Sequence, residues 1–235
     1  MENPENINPQ SGNKSSRNQY VSAEQLIAKM KVAFTNAKQP EILAELATVG
    51  ITETQLDAHL ADITNLEQLS QQQIQEYGEQ FAATDLFNEK KAAIDTTFAR
   101  HRNLAKIIFK GDRQANTTLG IDDGRKQAYA AWYQQVNNFY SQILANPDFK
   151  TKAATVNIDD AAIAAQQAAL QEVSALKESQ KKELGEAQRA TDTRDAALDL
   201  LYPKYTQLVA FAKVIFPNDQ TLEKLGIIVK RENSF

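Results

Sequence analysis

The stretch "ATVGIT" at residues 47–52 returns as "ATVNID" at residues 154–159, 107 positions further on. Glycine at 50 and asparagine at 157 are the two residues that most readily take the left-handed backbone closing a helix. Ile51 and Ile158 then supply the apolar contact that follows such a stop. Thr52 and Asp159 are N-caps for the next helix, and Thr52 with Gln55 has the spacing of a capping box. The repeated words are therefore punctuation: a short helix stops and a long one starts, twice.

Working outward, residues 40–112 slid without a gap against 147–219 share 20 identities in 73 positions, 14 of them between Ala47 and Asp85. Gly78-Glu79 meets Gly185-Glu186, Ala83-Thr84-Asp85 meets Ala190-Thr191-Asp192, and Ala105-Lys106 meets Ala212-Lys213. With one residue dropped, "LGI" at 119–121 meets "LGI" at 225–227. The same shift upstream pairs Leu26, Ile27, Met30 and Phe34 with Trp132, Tyr133, Val136 and Tyr140. Shared composition does not hold register over this length, so we read an internal duplication.

Each copy reads as four helical segments. The first covers about 22–37 or 124–145, and a short one follows Pro40 or Pro147. A long region runs from Thr52 to Phe109 or from Asp159 to Phe216. A last short helix, opened by Asp112 or Asp219, ends at "LGI". In the long region Leu56/Ile163, Ile63/Leu170, Leu66/Val173, Leu69/Leu176 and Tyr77/Leu184 follow one another at intervals of seven, three, three and eight. They resume as Ile94/Leu201, Phe98/Tyr205, Leu104/Phe211 and Ile108/Ile215, one expected buried stripe. One helix of nearly sixty residues would span roughly 85–90 Å. The region reads instead as a hairpin turning near 79–84 and 186–191, because Gly185 weakens a helix interior and Thr191 can cap a new one. The alternative is an unbroken helix whose Gly and Ala positions let a neighbour approach closely. Pro203, with Thr96 opposite it, should kink its helix or loosen one turn.

The expected fold is all-α: two tandem homologous modules in a long antiparallel bundle with pseudo-two-fold internal symmetry. Residues 1–20 read as a flexible arm, 21–121 as the first repeat, 122–230 as the second and 231–235 as a tail, the repeats sharing one core. Only 8 glycines and 6 prolines interrupt a chain rich in good helix formers.

The second copy resembles a group of uncharacterised bacterial helical proteins with duplicated modules. The likeness is carried by "KKELGEAQRATDTRDAALDLL" and "FAKVIFPNDQTLEKLGIIVK", covers most of 147–230, and implies an architecture without an activity.

Composition narrows function mainly by exclusion. A net charge of −4 gives no basic stripe for nucleic acid. No apolar run is long enough for a membrane span. The absence of cysteine removes thiolate chemistry and cysteine metal sites. With no apolar core near the N-terminus to act as a signal, a cytoplasmic address is expected.

Candidate sites are few. His101 pairs with Leu208 on the apolar stripe and reads as a packing residue, while His59 reads as a solvated one. Neither has the spacing of a metal pair. Glu76, Glu79, Asp85, Glu89, Asp192 and Asp195 alternate with lysines as a wet helix face would. "GIDDGRKQ" at 120–127 lacks the ligand alternation of a calcium loop and reads as the turn between copies. Tyr129, Trp132, Tyr133, Val136 and Tyr140 share one helix face. Core packing explains them, and they are also the first candidate for a ligand groove or docking surface. The expected function is a non-catalytic structural or interaction role, with self-association or a protein partner and no cofactor or metal. The alternative is a carrier of a small apolar ligand in the bundle interior.

Overall fold

The computed structural model describes residues 21–216 and 219–227; the N-terminal arm and the C-terminal tail lie outside the described residues. Every regular element among them is an α-helix. In chain order these are α1 (Ala23–Ala37), α2 (Pro40–Ala47), α3 (Glu53–Ile108), α4 (Arg113–Leu119), α5 (Tyr129–Ala145), α6 (Pro147–Ala154), α7 (Asp160–Ile215) and α8 (Asp219–Lys224).

The punctuation stands where the sequence puts it. Gly50 has φ +83° and Asn157 has φ +62°, the latter the one non-glycine residue with positive φ among those described. The amides of Ile51 and Ile158 reach back 3.1 Å to the carbonyls of Leu46 and Ala153, closing both short helices. Thr52 and Gln55 exchange the two bonds of a capping box, at 2.9 and 3.3 Å. The Ala162 amide donates to Asp159 at 2.8 Å. Asp112 caps α4 through the Ala115 amide, and Gly120 and Gly226 close α4 and α8 at φ +62° and +73°. The side chain of Asp219 lies outside what is described.

Three expectations fail. First, α3 and α7 are each one unbroken helix of 56 residues, so no hairpin turn exists near 79–84 or 186–191. Neither Gly78 nor Gly185 has a positive φ. A Cβ at either would meet nothing within 4 Å, so close approach of a neighbour does not explain these glycines either. Thr191, the expected cap, instead bonds the Ala187 carbonyl one turn back. Helix α7 also continues through Pro203.

Second, α5 begins at Tyr129 rather than near 124. Arg102, itself buried, donates to the carbonyls of Ile121 and Asp123. Gln135 accepts from the Lys126 amide and donates to the Gly124 carbonyl, both at 3.0 Å. These bonds hold 121–126 out of helix as part of the connection from α4 to α5. Third, Leu184 is not on a buried stripe but 52% exposed.

The chain divides into two compact units. Among the described residues, one comprises 21–72 together with 192–216 and 219–227, the other 73–191. The first unit thus holds α1, α2, the start of α3, the end of α7 and α8. Its core joins Ile27, Met30, Phe34, Leu46, Leu56 and Ile63 to Leu198, Leu201, Leu208 and Leu225. The second unit holds the rest of α3, α4, α5, α6 and the start of α7. Its core joins Phe87, Ile94, Phe98 and Phe109 to Trp132, Val136, Phe139, Tyr140, Ile163 and Leu170. Each unit therefore draws its apolar side chains from both halves of the chain. Contacts between α3 and α7 in the second unit run Gln73–Thr191, Thr84–Gln180 and Lys90–Glu172, rising along one helix as they fall along the other.

Candidate functional site

The aromatic face of α5 packs inward within the second unit. Trp132, Val136 and Tyr140 are at most 1% exposed, and Tyr129 and Tyr133 are partly buried against the same core. Phe139, off the expected face, is fully buried too. Trp132 and Tyr140 use their polar edges internally. Trp132 Nε1 donates to Asp95 at 3.0 Å, and the Lys91 ammonium sits 4.8 Å from the Trp132 ring. Lys177 lies over Phe87 and Tyr129, a favourable use of cation against ring quadrupole.

His101 and Tyr140 meet in this core, Nδ1 and hydroxyl 3.0 Å apart, with the imidazole 8% exposed. Burial, with a smaller push from Arg100, holds His101 below the ordinary histidine value, so it stays neutral. Burial raises the Tyr140 phenol well above its ordinary range. A neutral imidazole and a neutral phenol satisfying one another inside a core make a structural pair, not an acid–base one.

The expectation for His59 fails. Its side chain is 20% exposed rather than solvated, and its ring packs 5.0 Å from that of Phe34 in the first unit. Nδ1 is buried without a hydrogen bond, with the Asp62 carboxylate 3.9 Å away. Burial and then the Lys204 charge lower its pKa, outweighing the opposite pull of Asp62. His59 forms part of the wall of a cavity of about 140 Å³, whose apolar lining includes Phe34, Leu56, Leu208 and Phe211. Lys204 and Gln207 complete it on the α7 side. The spacing Leu56, His59, Ile63, Leu66 held the signal, for it places His59 on the apolar stripe. Lys204 could not be found this way, since it is 145 residues away in the chain (204 against 59).

Among the carboxylates, oxygens of Glu76, Glu79 and Glu183 lie within 4.8 Å of one another in the second unit. Glu79 is exposed, and Lys182 pairs with Glu183 at 3.3 Å. Glu76 and Glu183 are partly buried, and Glu183 Oε2 is buried without a hydrogen bond; an acidic cluster does not by itself define a metal centre.

No family model matches this chain, and no curated protein or solved structure is significantly similar to it. No helix among the described residues is long and apolar enough to cross a membrane.

Proposed function

We propose that the chain is a non-catalytic structural protein that pairs with a second copy of itself. The observation that carries this reading is a stripe on α3 in the second unit. Ile74, Tyr77 and Phe81 lie three and four residues apart, on one helix face. Ile74 is 68% and Phe81 60% exposed, and the Tyr77 and Phe81 rings are 6.3 Å apart. Leu184 on α7 is exposed as well. Leaving such side chains in water forgoes about 1.5–3 kcal/mol apiece that burial would supply.

Beside the stripe α3 carries Glu76 and Glu79, while the facing part of α7 carries Lys181 and Lys182, which pair within the chain with Glu178, Glu183 and Glu186. A two-fold axis that sets α3 of one copy against α7 of the next covers the stripe of each copy. Such an isologous contact needs only one patch per chain.

The internal duplication, and with it an antiparallel pseudo-two-fold design, belongs to the same proposal. It is supported by helix lengths of 15, 8, 56 and 7 residues followed by 17, 8, 56 and 6. The order of the α3–α7 contacts supports the antiparallel course. We likewise propose kinship with the duplicated bacterial helical proteins and a cytoplasmic setting. The Tyr129–Tyr140 face, being core, supports neither docking nor a ligand groove as it stands.

Sedimentation velocity over a concentration series tests the pairing. The wild-type coefficient should rise with concentration, and Phe81→Glu, at an exposed position, should abolish the rise with helicity unchanged. A wild-type chain monomeric throughout, or a Phe81→Glu chain that still associates, contradicts the reading.

A further inference from the structure

We propose that the cavity beside His59 in the first unit is a binding site for a small monocarboxylate with an aromatic or branched apolar body, about the size of benzoate. The volume fits: about 140 Å³ compares with the roughly 150 Å³ engineered cavity that holds benzene. The wall is chemically divided. Phe34, Leu56 and Leu208, each no more than 3% exposed, form an apolar floor that would take a ring or branched chain. Lys204, whose side chain is 42% exposed, brings an ammonium to the rim.

That ammonium spends one donor on Asp62, at 3.0 Å, and has two more to offer a carboxylate. His59 is the second polar group, and its buried Nδ1 is without a hydrogen bond. A buried polar atom without a partner is costly, and native structures rarely keep one without a reason. A carboxylate at the rim places an acceptor between the imidazole and the ammonium while its apolar body displaces water from the floor.

The place paired with this one by sequence is built differently. Leu208 corresponds to His101 and Phe34 to Tyr140, and in the second unit those two bond each other. The first unit carries the apolar pair, and its own histidine stands one helix over, on the cavity wall.

The test is a titration of the full chain with sodium benzoate, and separately with toluene, following the His59 ring resonances by NMR. Benzoate should shift them saturably, with half-saturation in roughly the millimolar range or below, as expected for so few heavy atoms. Lys204→Met should weaken benzoate binding about tenfold or more. Gln207→Trp, at an exposed lining position, should obstruct the cavity and remove the shift. Both substitutions are at exposed sites, and unchanged resonances of Met30 and Leu225, buried in the same core but off the cavity wall, certify the fold. Absence of a saturable shift overturns the proposal. Equal binding by the Gln207→Trp chain places the ligand elsewhere and also overturns it. Equal benzoate affinity in Lys204→Met, or tighter binding of toluene than of benzoate, overturns the carboxylate assignment.

Discussion

The two units solve the same packing problem with different side chains. In the second unit, a buried histidine and a buried tyrosine satisfy each other, and aromatic rings from α3 and α5 fill the space around them. In the first, the paired positions are Leu208 and Phe34, and the histidine sits instead at residue 59, its ring tilted against Phe34 beside a cavity. The difference teaches that backbone punctuation and helix lengths tolerate exchange of the polar contents of a core. A hydrogen bond inside one core can be replaced by apolar contact in the other, provided that both partners change together.

The largest effect should come from the richer core. Trp132→Ala removes a 1% exposed indole and its bond to Asp95. It should cost about 3–5 kcal/mol, against about 1–2 kcal/mol for Leu26→Ala, which is only half-buried. Urea denaturation of the two variants makes the comparison, and equal losses would break it. Next, Tyr140→Phe leaves His101 unsatisfied and should cost about 1–3 kcal/mol, and His101→Leu a similar amount. The double variant installs the first unit's pair in the second and should cost clearly less than the sum. An additive double-mutant cycle would deny the coupling.

Glycines separate the next pair. Gly50→Ala forces a left-handed alanine at φ +83° and should destabilise by about 1–2 kcal/mol. Gly78→Ala lies in the helical run of α3 with open space around it and should stabilise by about 0.5–1 kcal/mol. A turn at Gly78 would reverse that second sign, so thermal melts of both variants distinguish the two helix readings.

The smallest effect concerns pH. His59 and His101 both have pKa values held below the ordinary 6.5 chiefly by burial. The unfolded chain therefore binds protons that the folded chain resists. The stability they contribute is fully present above pH 6.5 and is lost as the pH falls below it. Denaturant midpoints taken from pH 8 down to pH 5 should fall, and His59→Gln should flatten part of the slope. A midpoint that rises on acidification through this window would contradict the burial of both rings.

Much of the fold was legible because caps and stops are local chemistry. Gly50, Asn157, Thr52, Asp112 and Gly120 each act through bonds to residues at most five positions away. The continuity of α3 and α7 was not legible, since one glycine costs about 1 kcal/mol and a 56-residue helix packed along its length absorbs that. Nor was the start of α5, which depends on Arg102 reaching across to the carbonyls of 121 and 123. The cavity was half legible. His59 keeps step with Leu56 and Ile63, but its partners on α7 are brought to it only by the fold.

Because the chain has no cysteine, a single spin label can be attached at Gln75→Cys, an exposed position beside Ile74. Dipolar spectroscopy on that singly labelled protein asks directly whether two chains pair through the face that carries Ile74 and Phe81. Self-pairing predicts a defined inter-chain coupling that disappears when Phe81→Glu is added. A label that reports only isolated chains at every concentration, or a coupling indifferent to residue 81, would contradict it.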